Sequence, residues 1–138
     1  MYRKILVGYD GSPAAKKAFD AACDLAVQHG AELFVLTVSR PPEIADDVET
    51  EALIENSRHY HRRMLAELKA PLGAKKIKCH LEVAVGHPAE QIIYHADKYC
   101  VDLIVVGDRG RSKFARLLLG STSKQVAEHA DRPVLLVR

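Results

Sequence analysis

Short apolar runs rich in branched residues alternate with longer segments whose apolar residues recur at helical spacing, along most of the chain. Runs of the first kind suit strands buried on both faces, and segments of the second kind suit helices with one apolar stripe. A chain that repeats strand, helix and strand must join its strands by crossovers, which favours a parallel sheet with helices on both faces. The first strand is expected over Lys4–Tyr9, bounded by Asp10-Gly11-Ser12. Ser12-Pro13 then supplies an N-cap and a proline at the first helical position. Ala15, Ala18, Phe19, Ala22, Leu25 and Ala26 form the helical stripe, and Gly30 closes it.

Glu32–Val38 reads as the second strand, and Pro41-Pro42 opens a polar loop. A longer, more polar helix is expected from about Val48 to Leu68, with Leu53, Tyr60, Met64, Leu65 and Leu68 on one side and Pro71 with Gly73 ending it. Lys78–Val85 fits a third strand, Gly86-His87-Pro88 turns into a helix through Ile92, Ile93 and Ala96, and Asp102–Val106 fits a fourth strand. The last helix is expected over Ser121–His129 and the fifth strand over Val134–Val137. The pattern describes a doubly wound α/β domain: a single open five-stranded parallel sheet with helices on both faces, occupying 1–138 as one unit. In such sheets the ligand site lies beyond the carboxyl ends of the strands, here Asp10, Val38, Gly86 and Gly107.

Charge narrows the partners. Twenty Lys and Arg against 18 Asp and Glu leave a net charge of only +2, which argues against a protein built to coat nucleic acid or an anionic membrane. Aromatic residues are 6%, without tryptophan, so base-stacking platforms are not expected. The apolar run Ile5-Leu6-Val7 is too short for a signal-peptide core, and no stretch approaches the ~18 apolar residues of a membrane span. Cys23, Cys79 and Cys100 are odd in number and form no CxxC pair, so reduced thiols in a cytoplasmic protein are expected, with neither a disulfide scaffold nor a zinc module.

The most informative chemistry lies between Gly107 and Ser123. Gly107 ends a central strand, Gly110 permits a turn that a side chain would obstruct, and Gly120-Ser121 opens a helix. The free N–H groups and positive dipole end of that helix suit a phosphate. Ser121, Thr122 and Ser123 add hydroxyls there, and Arg109, Arg111, Lys113 and Arg116 make the surroundings basic, with Asp108 as the acid among them. The combination suits a polyphosphate. Single glycines and serines at such places are routine punctuation; the joint pattern carries the inference. Gly-x4-Gly-Lys-Ser/Thr is absent, GxGxxG does not follow the first strand, and no HxGH occurs. Asp10, at a strand's carboxyl end, could accept hydrogen bonds from a diol or serve as an Asx-turn ahead of Pro13.

These residues resemble the universal stress protein family over essentially the whole chain. The nucleotide-binding branch of that family carries Gly-x2-Gly-x9-Gly-Ser/Thr, and Gly107, Gly110, Gly120 and Ser121 match every fixed position. Collinear blocks at Ile5–Ser12, Gly86–Pro88, Asp102–Gly107 and Arg132–Val137 extend the likeness. The resemblance implies a Rossmann-like, adenine nucleotide alpha hydrolase-like fold with ATP at the carboxyl end of the sheet. By position, Asp10 would hold the ribose hydroxyls, the Val38 backbone would meet adenine and Val106 would line the base pocket. Gly107, Arg109, Gly110, Gly120, Ser121, Thr122 and Ser123 would surround the triphosphate, with Mg2+ bound through the phosphates rather than by protein ligands. It further implies a homodimer joined through Val134–Val137, acting as a regulatory or stress-response unit with an unidentified protein partner. The segment 48–68 is the family's variable region, to which nothing specific transfers.

Rival readings are a slow ATPase or phosphotransferase and a nucleotide-independent interaction protein. Hydrolysis would need a residue that orients water at the γ-phosphate, and the candidates, Asp108 and His87, lie in no recognisable catalytic signature. Nucleic-acid binding through 109–116 ranks last, because phosphate in a pocket explains the charge. Among the seven histidines, His59 and His61 are two apart on a helix and cannot chelate together. His29, His80, His95 and His129 lack partners at ligand spacing and are expected at the surface, while His87 lies on a loop at the site end. Cys23 and Cys100 are expected in or near the core.

Overall fold

Strands apolar on both sides need cover on both faces, and the helices supply it. The computed structural model describes residues 1–40, 47–108 and 120–138, with the backbone alone for 47–54. In chain order the elements are β1 (Lys4–Gly8), α1 (Pro13–His29), β2 (Glu32–Ser39), α2 (Asp47–Ala66), α3 (Lys69–Ala74), β3 (Cys79–Val85), α4 (Pro88–Lys98), β4 (Leu103–Gly107), α5 (Ser121–His129) and β5 (Val134–Val137). The sheet order is β3-β2-β1-β4-β5, and every pair is parallel. The chain winds outward from β1 to β3, then returns to the other side of β1 with β4 and β5. The reversal between β1 and β4 makes the crevice where doubly wound sheets take their ligands.

Alternate residues of each strand enter opposite layers. Ile5, Val7, Leu33, Val35, Leu103 and Val105 pack with α1 and with Leu65, Leu68 and Leu72. Leu6, Phe34, Leu36, Ile104 and Val106 pack with Ala89, Ile92 and Ala96 of α4 and Val126 of α5. The Asp102 carboxylate accepts from the Arg3 and Lys4 N–H groups, aligning the starts of β1 and β4. Among the described residues no helix is long and apolar enough to cross a membrane.

Several expectations are corrected. Pro71 and Gly73 do not end the helical region; they lie inside α3. Pro71 occupies the first turn of α3, where its missing N–H would have had no acceptor, and the extra turn seats Leu72 at 0% exposure. Tyr60 faces solvent rather than the core side of α2, whereas Leu65 and Leu68 are buried; the side chain of Leu53 lies outside the described set. Cys23 is buried as expected, but Cys100 is exposed, because it takes a left-handed conformation (φ 53°) just past the end of α4. His95 is buried rather than superficial. It lies one turn from Ile92 and beside Ala96 on the inner face of α4, and its Nδ1 donates to the Gln91 carbonyl at 2.8 Å.

Candidate functional site

Parallel pairing sends the carboxyl ends of all five strands to one edge, and a cleft of about 470 Å³ lies there. Asp10, Val38, Val106, Gly107, Gly120, Ser121, Thr122 and Ser123, separated by up to most of the chain, all line it. Arg109 and Gly110, together with the basic stretch 109–116, lie outside the described residues.

The β1–α1 connection is built for tightness. Gly11 adopts φ 78°, a left-handed turn that glycine enters without strain. The Asp10 Oδ1 accepts from the Ser12 N–H at 2.9 Å, and the Ser12 hydroxyl caps α1 through the Ala15 N–H at 3.1 Å. Asp10 therefore makes the Asx-turn and also lines the cleft. Next to it the ring of Tyr9 packs edge-on against Phe19. Burial, helped by Glu67, Asp10 and Asp20, pushes the Tyr9 phenol above its ordinary range and keeps it neutral.

The opposite wall is the start of α5. Gly120 is its N-cap, extended at φ −61° and ψ 155°, and among the described residues no side chain caps the helix. The first helical bond runs from the Lys124 N–H to the Gly120 carbonyl, so the N–H groups of Ser121, Thr122 and Ser123 have no acceptor within the helix. Together with the dipole they form an anion-seeking surface. The three hydroxyls differ in position: Ser121 is exposed and Thr122 half-buried, while Ser123 is buried and donates its hydroxyl to the Gly107 carbonyl. Gly107 also has a packing role. A Cβ there would sit 2.8 Å from the backbone carbon of Ala14 and 2.9 Å from its oxygen. The Gly120 N–H donates to the Asp108 carbonyl, and the Asp108 N–H to the Val137 carbonyl, which ties α5, β4 and β5 at this corner.

Leu36, Val38, Ile92 and Val106 make an apolar wall, continued by Pro88 at the start of α4. Sequence reasoning missed Tyr9, Arg40 and His61, which also line the cleft. Tyr9 and Arg40 were findable as near neighbours of Asp10 and Val38 in sequence, but His61 arrives from α2 with no motif to announce it. Asp108 is buried and His87 exposed, and neither is among the residues lining the cleft. Among the described residues no group of three His, Cys, Asp or Glu is placed to hold a metal ion.

Comparison with known proteins agrees with this architecture. The chain is 35% identical to universal stress protein YxiE of Bacillus subtilis, with both chains covered completely. Its fold superposes on universal stress protein UspA from Lactobacillus plantarum with a TM-score of 0.91, at 27% identity and covering 99% of this chain and 98% of that one. A universal stress protein solved in complex with cAMP matches with a TM-score of 0.77 at 28% identity, covering 99% of this chain and 97% of that one. The family model described as the universal stress protein family matches residues 1–138, and the chain belongs to that family.

Proposed function

We propose that this protein binds an adenine nucleotide, ATP with Mg2+ carried on its phosphates, in the cleft at the carboxyl end of the sheet. The observation that carries the reading is the order of chemistry across that edge. The uncapped α5 terminus stands beside β4, the Asp10 carboxylate follows β1, and the apolar wall with Val38 ends β2. Neighbouring strands are about 4.8 Å apart, so phosphate-seeking and base-seeking ends are separated by about 10 Å. That is the span of a nucleoside with its first phosphates, with the sugar over β1. Asp10 accepts from the ribose hydroxyls, Val38 meets the base through its backbone, and Val106 lines the base pocket. Gly107, Gly120, Ser121, Thr122 and Ser123 surround the phosphates, joined by Arg109 and Gly110. The cAMP complex of a relative supports an adenine ligand.

In this reading the protein is a regulatory, stress-responsive unit of the cytoplasm rather than a catalyst, signalling to a protein partner. Asp108, buried and absent from the cleft lining, is poorly placed to orient water. The unit is a homodimer through β5, an edge strand whose Leu135 is 37% exposed, since an unprotected edge invites pairing. The test is to denature the purified protein and identify any released nucleotide by chromatography, then titrate ATP calorimetrically. Retained or added ATP that binds supports the reading, and mainly ADP in the extract points to turnover. No released nucleotide and no heat with ATP refutes it.

A further inference from the structure

The β2 end of the cleft carries a polar side chain whose orientation is set by a hydrogen bond. His61 lines the cleft, and its Nδ1 lies 2.6 Å from the carbonyl of Ser57, one turn back on α2. A carbonyl only accepts, so Nδ1 holds a proton, and in the neutral imidazole of that tautomer Nε2 is an acceptor. The helix is fastened where it presents this ring. Ser57 Oγ lies 2.5 Å from Ser39 Oγ, and Ser39, at 1% exposure, is the last residue of β2 next to Val38.

Tyr9 also lines the cleft, but its ring packs against Phe19 in the α1 layer; the apolar wall and Arg40 hold no acceptor for the base. Leu36, Val38, Ile92 and Val106 are apolar, and the Arg40 guanidinium only donates. We infer that His61 is a specificity-determining residue: its Nε2 accepts a hydrogen bond from an exocyclic amine and selects a 6-aminopurine over a 6-oxopurine. This rests on the nucleotide reading above and adds how the base is chosen. A 6-oxo group would set its lone pairs against that of Nε2. Relieving the clash requires either moving the proton from Nδ1 to Nε2, which breaks the bond to Ser57, or adding a second proton at Nε2. An acceptor at Nε2 therefore disfavours the 6-oxo group as well as selecting the amine.

The experiment is calorimetric titration of the full-length protein with ATP, with the purine ribonucleoside triphosphate lacking the 6-amino group, and with ITP. Wild type is compared with His61→Phe, which removes the acceptor, and His61→Gln, which keeps one. Wild type is expected to prefer ATP to both analogues. In His61→Phe the preference for ATP over the unsubstituted purine falls about three- to tenfold, the worth of one neutral hydrogen bond. ITP binding does not fall, and His61→Gln retains part of the preference. Circular dichroism checks the fold of both variants. If wild type shows no preference for ATP over the unsubstituted analogue, or if His61→Phe still binds and keeps the wild-type ratio, His61 does not read the base and the nucleotide reading survives. If wild type binds none of the three, the nucleotide reading fails and this inference fails with it.

Discussion

Replacing Gly107 by alanine separates what the fold needs from what a ligand needs. The added Cβ would stand 2.8 Å from the Ala14 backbone carbon, 2.9 Å from its Cβ and 2.9 Å from its oxygen. Contacts of that kind normally begin near 3.4 Å, so β4 and α1 must separate by roughly 0.6 Å at their tightest point. Both elements are wedged in the core, with Ala15, Ala18 and Val105 nearly inaccessible, so little slack exists to absorb the shift. Gly107 is not among the glycines with positive φ, and the penalty is steric rather than conformational. Overpacking of this degree costs about 1–3 kcal/mol. For a chain of this size that lowers the melting midpoint by roughly 3–15 °C, read by circular dichroism without nucleotide. Ala14→Gly in the same chain removes one of the three close atoms and leaves the two backbone ones, so it restores only part of the loss. A Gly107→Ala midpoint within about 1 °C of wild type, or full rescue by Ala14→Gly, would refute the reasoning.

Gly120→Val keeps a backbone conformation, φ −61° and ψ 155°, that any residue adopts; in protein shown folded by circular dichroism, ATP affinity measured by calorimetry should fall at least about tenfold, and unchanged affinity would reduce this glycine to a helix boundary. Leu135→Glu places a charge on the exposed edge of β5, and sedimentation should show the dimer giving way to monomer at micromolar concentration. A persistent dimer would put the interface elsewhere. Burial, and then its hydrogen bond to Glu82, pushes the Tyr99 phenol up to about 12. The folded state therefore keeps a proton that the unfolded chain releases near its ordinary value of about 10, and stability should fall as pH rises from there to about 12. Urea midpoints of wild type and Tyr99→Phe measure this, and an equal slope in both would exclude Tyr99 as its source.

The fold was legible because its signals are local and repeated. A strand such as Leu103–Gly107, hidden on both faces, must read as an apolar run, and α1 announces both ends through Ser12-Pro13 and Gly30. Strand order followed less directly, yet the placing of β5 at an edge agrees with its short run and its partly exposed residues. What failed has physical causes. Pro71 reads as a stop only if it falls past a helix's first turn, and a new helix begins just before it. Cys100 reads as core only if α4 continues, and a left-handed residue ends it there. His95 hides because a donated Nδ1 proton and the nearby Glu82 carboxylate (3.7 Å from Nε2) let an imidazole enter an apolar layer. In the cleft, residues at strand ends were readable because topology fixes where a parallel strand stops. His61 was not, because it reaches the cleft across space from α2, where the Ser39–Ser57 contact ties the helix to the end of β2.

The glycine motif itself divides into parts with different duties. Gly107 must be small because α1 touches it, and its carbonyl takes the Ser123 hydroxyl, so this pair holds β4, α1 and α5 together whether or not a ligand is present. Gly120 caps α5 at φ −61° and ψ 155°, a conformation open to any residue, and the N–H groups that follow it at the cleft are those an anion would use. Stability therefore requires the first glycine even in a chain that binds no phosphate. Presence of a glycine at 107 alone says little about function. The proposed nucleotide site therefore rests on the Gly120-Ser121 terminus standing beside Gly107, and not on Gly107 alone.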